Sequence, residues 1–264
     1  MNYDVLICPV CGGALTERER SLRCGKGHCF DLAKEGYVNL LTGSGKNHGD
    51  DTDMILCRRR FLNRGYYSPL CGLVVEKCRE ASPDALLDIG CGEGYYTKNI
   101  KNALPDCAVC GFDVSKKAAE KAAKLGGLEI CVASAYETPY EDGFFGCAVN
   151  IFSPFCKEEV LRVLRSGGRL ILAAPLPEHL YEMKAAVYDT PRVKEMKSDI
   201  IEGFSLLDKT ELRYGMDLDN AAISDLFEMT PYAHKTSETD RQKLFAKDRM
   251  TVTAAFAVFT YEKN

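Results

Sequence analysis

Between residues 82 and 174 the chain alternates short apolar runs with stretches in which apolar residues recur every three or four positions. Ala85-Leu86-Leu87-Asp88-Ile89 is almost wholly apolar and too brief for a helix, so it reads as a buried strand. Cys107 to Phe112, Leu128 to Val132, Phe145 to Phe152 and Arg169 to Ala174 repeat the pattern, and Met250 to Tyr261 supplies a last strand. Cys156 to Arg165 has the period of a helix, and Ser166-Gly167-Gly168 reads as the turn after it. Strands alternating with helices predict an α/β fold, a doubly wound and mostly parallel sheet.

Upstream, Thr52 and Asp53 are candidate caps for a helix running through Met54, Ile55 and Leu56. Tyr66-Tyr67-Ser68-Pro69 is a turn, and Leu70 to Glu80 is a second amphipathic helix. Four arginines, Arg58, Arg59, Arg60 and Arg64, fall within seven residues. They form either a strip that contacts phosphates or a solvated face paired with Asp50, Asp51 and Asp53. Thr42 to Asp53 is rich in Gly, Ser, Asn and Asp, as linkers are. The expected organisation is therefore a small module over 1–41, a linker and helical bridge over 42–81, and the α/β domain over 82–264. Thr190 to Tyr214, with Lys194, Lys197, Lys209 and Arg213 among acids, reads as an insertion followed by a strand.

The first 41 residues hold too few apolar side chains for a core of their own and need a staple. Cys8-Pro9-Val10-Cys11 and Cys24 to Cys29 supply one. Two thiols two residues apart can hold a metal from one tight turn, and a second pair across a hairpin completes a tetrahedron of N and S ligands. The ligand set is Cys8, Cys11, Cys24 and His28, with Cys29 as the alternative fourth ligand. Four protein ligands leave no open position for water, so this zinc is structural. The other cysteines of the 13 mostly sit in apolar runs as small core residues.

Composition narrows the setting. The chain has 264 residues, is 46% hydrophobic, and contains neither a run of about 18 apolar residues nor an N-terminal leader. A soluble, intracellular protein is expected. The net charge is −4, so any nucleic-acid contact must use a local basic patch rather than the field of the whole molecule.

The candidate chemistry lies at the carboxyl ends of the strands, where such sheets bind ligands. Asp88-Ile89-Gly90-Cys91-Gly92-Glu93-Gly94 places three glycines between a strand and a helix, so that backbone can approach a ligand closely. An acid ending the strand repels pyrophosphate and suits a donor bearing an ammonium and a sulfonium, such as S-adenosylmethionine. Asp113, ending the second strand, can accept from two ribose hydroxyls. Ser134, ending the third, lies near the place of an adenine, and Asn150 falls near the end of the fourth. The fold expected is that of a class I S-adenosylmethionine-dependent methyltransferase.

The sequence resembles the bacterial 23S ribosomal RNA (guanine-N1)-methyltransferase family. The likeness rests on Cys8-Pro9-Val10-Cys11, Phe30 to Leu41, Arg59-Arg60-Phe61-Leu62, Leu87 to Thr97 and Met229-Thr230-Pro231-Tyr232. It implies zinc at Cys8, Cys11, Cys24 and His28, and cofactor contacts at Tyr67, Gly92, Glu93 and His179. It also implies methylation of guanine N1 in a stem-loop of domain II, in the cytoplasm, by a homodimer whose cleft holds the RNA. Around Asn150 to Phe155 the chain departs from the Gram-negative branch, which leaves two neighbouring guanines open as the target. Phe152 and Phe155 are candidates for stacking a splayed base, with core packing as the alternative. No residue is marked as the general base. A small-molecule methyltransferase and a non-catalytic RNA-binding adaptor are the alternative functions.

Overall fold

The computed structural model describes residues 5–42, 49–188 and 199–264. The N-terminal module is a three-stranded antiparallel sheet of β1 (Leu15–Arg18), β2 (Ser21–Cys24) and β3 (Cys29–Asp31). After it come β4 (Tyr37–Asn39), α1 (Thr52–Asn63) and α2 (Ser68–Ala81). The α/β part runs β5 (Ala85–Ile89), α3 (Tyr95–Ala103), β6 (Ala108–Asp113), α4 (Lys116–Ala123), β7 (Glu129–Val132), β8 (Phe145–Ile151), α5 (Lys157–Val163) and β9 (Leu164–Pro175). It ends with α6 (Tyr181–Val187), β10 (Phe204–Asp219), α7 (Asn220–Glu228), a 3-10 turn at Ala233–Lys235, α8 (Glu238–Phe245) and β11 (Arg249–Lys263).

The large sheet has the order β10-β11-β9-β8-β5-β6-β7-β4. β4, β7, β6, β5, β8 and β9 run parallel, and β11 and β10 close the other edge antiparallel. The winding of the sheet reverses at β5, so the loop after β5 opens at the switch point where this architecture binds ligands. Each central strand is buried on both faces, which is why these segments read as unbroken apolar runs rather than alternating ones.

Several boundaries differ from the sequence reading. The cap of α1 is Asp51, whose carboxylate accepts the Met54 N–H at 2.9 Å, rather than Thr52 or Asp53. Ser166-Gly167-Gly168 does not separate two elements; it lies inside β9, where the register against β8 shifts between Phe145 and Cys147. Residues 43–48 of the linker and residues 190–198 of the insertion, with Lys194 and Lys197, lie outside the described residues.

The N-terminal module is not a separate body. Tyr37–Asn39 adds a parallel strand to β7 of the large sheet, and Leu6 pairs with Tyr140. Ile7 N–H donates to the Pro139 carbonyl and Glu141 N–H to the Val5 carbonyl. Val5, Leu6, Leu15 and Leu22 share one buried cluster with Val38, Leu40, Ala133 and Tyr140. A module too small to fold alone thus borrows a core from its neighbour. The bridge helices dock as well: α2 packs on the sheet and α1 on α7.

The arginines of α1 make that second contact. Arg60 Nε meets both Asp225 oxygens at 3.0 and 3.1 Å, and Arg64 grips Asp219 at 2.8 and 2.6 Å. Arg58 pairs with Asp50, and Arg59 lies 3.7 Å from Glu93. All four are engaged with carboxylates, so the phosphate strip gives way to a set of ion pairs. Their partners are not the linker acids Asp51 and Asp53; only Asp50 of that group takes part.

Candidate cofactor and metal sites

Cys8, Cys11, Cys24 and His28 present ligand atoms that all lie within 4.8 Å of one another. Two turns bring them there. Gly12 N–H donates to the Cys8 carbonyl at 2.8 Å, and Gly27 N–H to the Cys24 carbonyl at 3.0 Å. Cys11 and Cys24 sulfurs are 3.7 Å apart, and His28 Nδ1 is 3.5 Å from Cys8 Sγ and 3.3 Å from Cys24 Sγ. A tetrahedral zinc with Zn–S near 2.3 Å requires S···S of about 3.7 Å, so the donor set fits. Burial pushes the Cys24 thiol up, but the His28 and Lys26 N–H groups more than offset it and hold it at about 6, where the thiolate is available to a metal. Cys29 is exposed and stands outside the cluster, which favours His28 as the fourth ligand.

At the second site the residues singled out at the strand ends gather on one edge of the sheet. Gly90, Gly92 and Gly94 all have positive φ, at 70°, 57° and 88°. Gly94 is also a close approach: a Cβ there would lie 2.9 Å from Ala122 Cβ, so its absence lets α4 pack against the loop. Asp113 Oδ2 accepts the Gly92 N–H at 2.9 Å and Oδ1 the Ser115 N–H at 2.8 Å, which leaves each oxygen a lone pair for a ligand. Ser134 caps its own turn, accepting the Tyr136 N–H at 3.2 Å. Asp88 lies beneath the loop rather than at its rim, 3% exposed, with the Thr97 hydroxyl donating to it at 2.6 Å. Around the loop, Asp50, Asp88, Glu93 and Asp113 outnumber Arg58, Arg59 and Lys121. With Asp88 protonated the two signs are even, and with it ionised the balance suits a cationic ligand better than a phosphate.

Tyr67 and His179 come together across 112 residues, with Tyr67 Oη 3.3 Å from His179 Nε2. His179 Nδ1 accepts the Ala255 N–H at 3.2 Å, so Nε2 carries the ring proton. Burial, reinforced by Lys184, pulls His179 down to about 3. It is a neutral donor, not a base, at physiological pH. Phe256 packs against both rings, with centroids at 5.1 and 4.6 Å, and against Phe152 at 5.6 Å. Sequence reasoning missed Phe256, Tyr96 and Thr97. Tyr96 and Thr97 sit in the quoted glycine stretch, but Phe256 has no local signal at all.

Burial raises Asp88 from its ordinary 3.8 to about 7, with Asp113 adding to the effect against the Thr97 hydrogen bond. Between those values the folded protein holds a proton that the unfolded chain releases, so this group's contribution to stability is lost as pH rises towards 7. A cation bound above it favours the ionised form. Cofactor affinity is therefore expected to rise as pH is raised through about 7, and titration calorimetry across that range checks it. A flat profile would detach Asp88 from the ligand.

Comparison with known proteins places the two parts of the chain in known families. Residues 6–47 match the zinc-ribbon family described as "RlmA, N-terminal", and residues 86–168 match a methyltransferase domain family. The chain is 34% identical to the 23S rRNA (guanine(748)-N(1))-methyltransferase of Streptomyces fradiae, over 86% of this chain and 84% of that one. It is 31% identical to a protein of Micromonospora griseorubida named provisionally as a 23S rRNA (guanine-N(1)-)-methyltransferase, over 97% and 96% of the two chains. Among solved structures, the plantazolicin methyltransferase BpumL in complex with a substrate analog and SAH superposes with a TM-score of 0.50 at 13% identity, over 81% of this chain and 91% of that one. That likeness is one of fold.

Proposed function

The chain belongs to the 23S ribosomal RNA (guanine-N1)-methyltransferase family, and we propose on that premise that it transfers a methyl group from S-adenosylmethionine to N1 of a guanine in a stem-loop of domain II. The observation that carries the reading is the union, along one chain, of the zinc ribbon and the methyltransferase domain, matched over 86% of this chain by a relative of that named activity. Position 748, named for that relative, is the first guanine to test.

When bound, S-adenosylmethionine supplies an activated methyl on a positively charged sulfur. The residues of this chain do the rest. Gly90, Gly92 and Gly94 shape the cradle, Asp113 accepts from the ribose, Ser134 borders the adenine, and Glu93 with Asp88 sets the charge below. At the far end Tyr67, held by the His179 Nε2–H, is a neutral donor. The target base stacks on Phe152, whose ring is 46% exposed and whose backbone is held at φ 58°. That strain is fixed by neighbours: Asn150 Nδ2 donates to Ser153 Oγ at 2.8 Å and to the Pro154 carbonyl at 3.2 Å. Phe155, by contrast, packs against the buried cluster beneath the sheet.

The ribbon is the RNA-recognition module. Arg18, Arg20, Arg23 and Lys26 are exposed on it, and none makes an ion pair among the described residues, although Glu17 precedes Arg18 and Glu19 lies between Arg18 and Arg20. The arginines of α1 are already neutralised, so the local basic patch is here. Changing these four to alanine is expected to weaken binding to ribosomal RNA across sequences. The salt slope should fall by about one for each phosphate that is no longer neutralised. An unchanged slope would move the RNA elsewhere. We place the protein in the cytoplasm with its ribosomal substrate, as a homodimer joined beside β10, where Leu206 and Leu207 are exposed at 43% and 49%. The reading is tested by incubating the protein with labelled cofactor and unmodified ribosomal RNA, where label in the RNA is expected and label only in small molecules refutes it.

A further inference from the structure

One hydroxyl in the cofactor site has no partner. Tyr96 Oη is buried and makes no hydrogen bond, a condition shared among the described residues only with Thr260 Oγ1 on β11. Buried hydroxyls are almost always satisfied, because leaving one unpaired forfeits its hydration without return. Tyr96 stands in the first turn of α3, directly after the glycine loop. Its ring meets Tyr95 edge-on at 5.1 Å, and Tyr67, Cys71, Tyr95 and Tyr214 all lie within electrostatic reach of its hydroxyl. Tyr214 is already spent, donating to the Tyr66 carbonyl at 2.9 Å.

Tyr67 is in the same position as Tyr96. Because His179 Nδ1 accepts from Ala255, the Nε2 proton points to Tyr67 Oη, and the single Tyr67 proton is left without an acceptor in the protein. Two buried phenol protons within electrostatic reach of one another thus have no acceptor in the protein. The missing partner must be an acceptor with at least two lone-pair directions, and a carboxylate has about four.

The sheet order says which carboxylate. Asp113 ends β6 on one side of β5, while His179 follows β9 and Phe256 pairs with its last residue on the other side. A ligand whose ribose sits at Asp113 and which crosses the glycine loop carries its amino-acid end towards Tyr67 and Tyr96. We propose that Tyr96, with Tyr67, donates to the α-carboxylate of S-adenosylmethionine, so that neutral phenols take part in anchoring this anion. The inference rests on the reading of this pocket as the S-adenosylmethionine site and adds a residue that anchors the amino-acid end.

Titration calorimetry of the zinc-loaded full chain tests it, with S-adenosylmethionine and its decarboxylated analogue as the two probes. Tyr96→Phe is expected to weaken S-adenosylmethionine binding about fivefold to tenfold. It should leave binding of the decarboxylated analogue at the wild-type value. The ligand-free variant should melt no lower than wild type, since only an unpaired hydroxyl is lost. Equal losses for both ligands, or no loss for either, overturn the carboxylate contact. Intact affinity for both with slowed methyl transfer assigns the hydroxyl to the base instead and also overturns it. A wild-type protein that binds neither ligand refutes the cofactor reading itself.

Discussion

Gly90→Ala is expected to weaken S-adenosylmethionine binding on the order of a hundredfold, measured by titration calorimetry. Two effects add. The backbone at Gly90 has φ 70°, a left-handed conformation that costs a residue with a Cβ about 1–2 kcal/mol. The new methyl would also collide with Ser153, lying 2.8 Å from its Oγ and closer still to its Cβ. Ser153 cannot yield cheaply, because its hydroxyl donates to the Ile89 carbonyl at 2.5 Å and accepts from Asn150. Overpacking of this kind typically costs about 1–3 kcal/mol. Adding Ser153→Gly should recover part of the affinity by removing the collision while leaving the dihedral cost. Undiminished binding by the single variant would mean that the loop does not cradle the cofactor.

His28→Ala is expected to lose the zinc, and Cys29→Ala to keep it, with metal content read by mass spectrometry of the purified proteins. Structural zinc supplies folding free energy outright, on the order of 10 kcal/mol in isolated modules. Here the module is fused to the main domain through β4 and through the cluster that joins Leu15 and Leu22 to Val38 and Tyr140. Metal loss should therefore lower the melting temperature of the whole chain, on the order of 5–10 °C, rather than release a floppy tail from an unaffected domain. Transfer to ribosomal RNA should fall with it, since the basic hairpin loses its shape. A His28→Ala protein that retains full zinc would hand the fourth position to Cys29.

What could be read in the sequence follows a simple physical division. Strands β5 to β9 and the glycine loop were legible because burial on both faces and sharp turns leave local marks: apolar runs and glycines. The metal ligands were legible for the same reason, since a knuckle is closed within a few residues. Contacts made at long range left no such mark. Arg60 and Arg64 could be read either as a phosphate strip or as a face paired with the linker acids, because their partners Asp225 and Asp219 lie 165 and 155 residues away. Tyr67 and His179 stood out only through the family resemblance, and Phe256, which holds them together, not at all. A strand as short as β4 has no period to detect, so Tyr37–Asn39 was assigned to the N-terminal module and not to the large sheet. The structure likewise separates Phe152 from Phe155, which the sequence could only name together: one is half-exposed at the site, the other packed against the core.

The proposed activity comes down to one atom of one base. Ribosomal RNA lacking the modification, treated with the zinc-loaded protein and S-adenosylmethionine, should be digested and its nucleosides resolved by mass spectrometry, with primer extension to place the site. The expected product is 1-methylguanosine at a single guanine of domain II in 23S ribosomal RNA. A methyl group on any other atom or base, or ribosomal RNA returned unmodified by a protein that binds its cofactor, would contradict it.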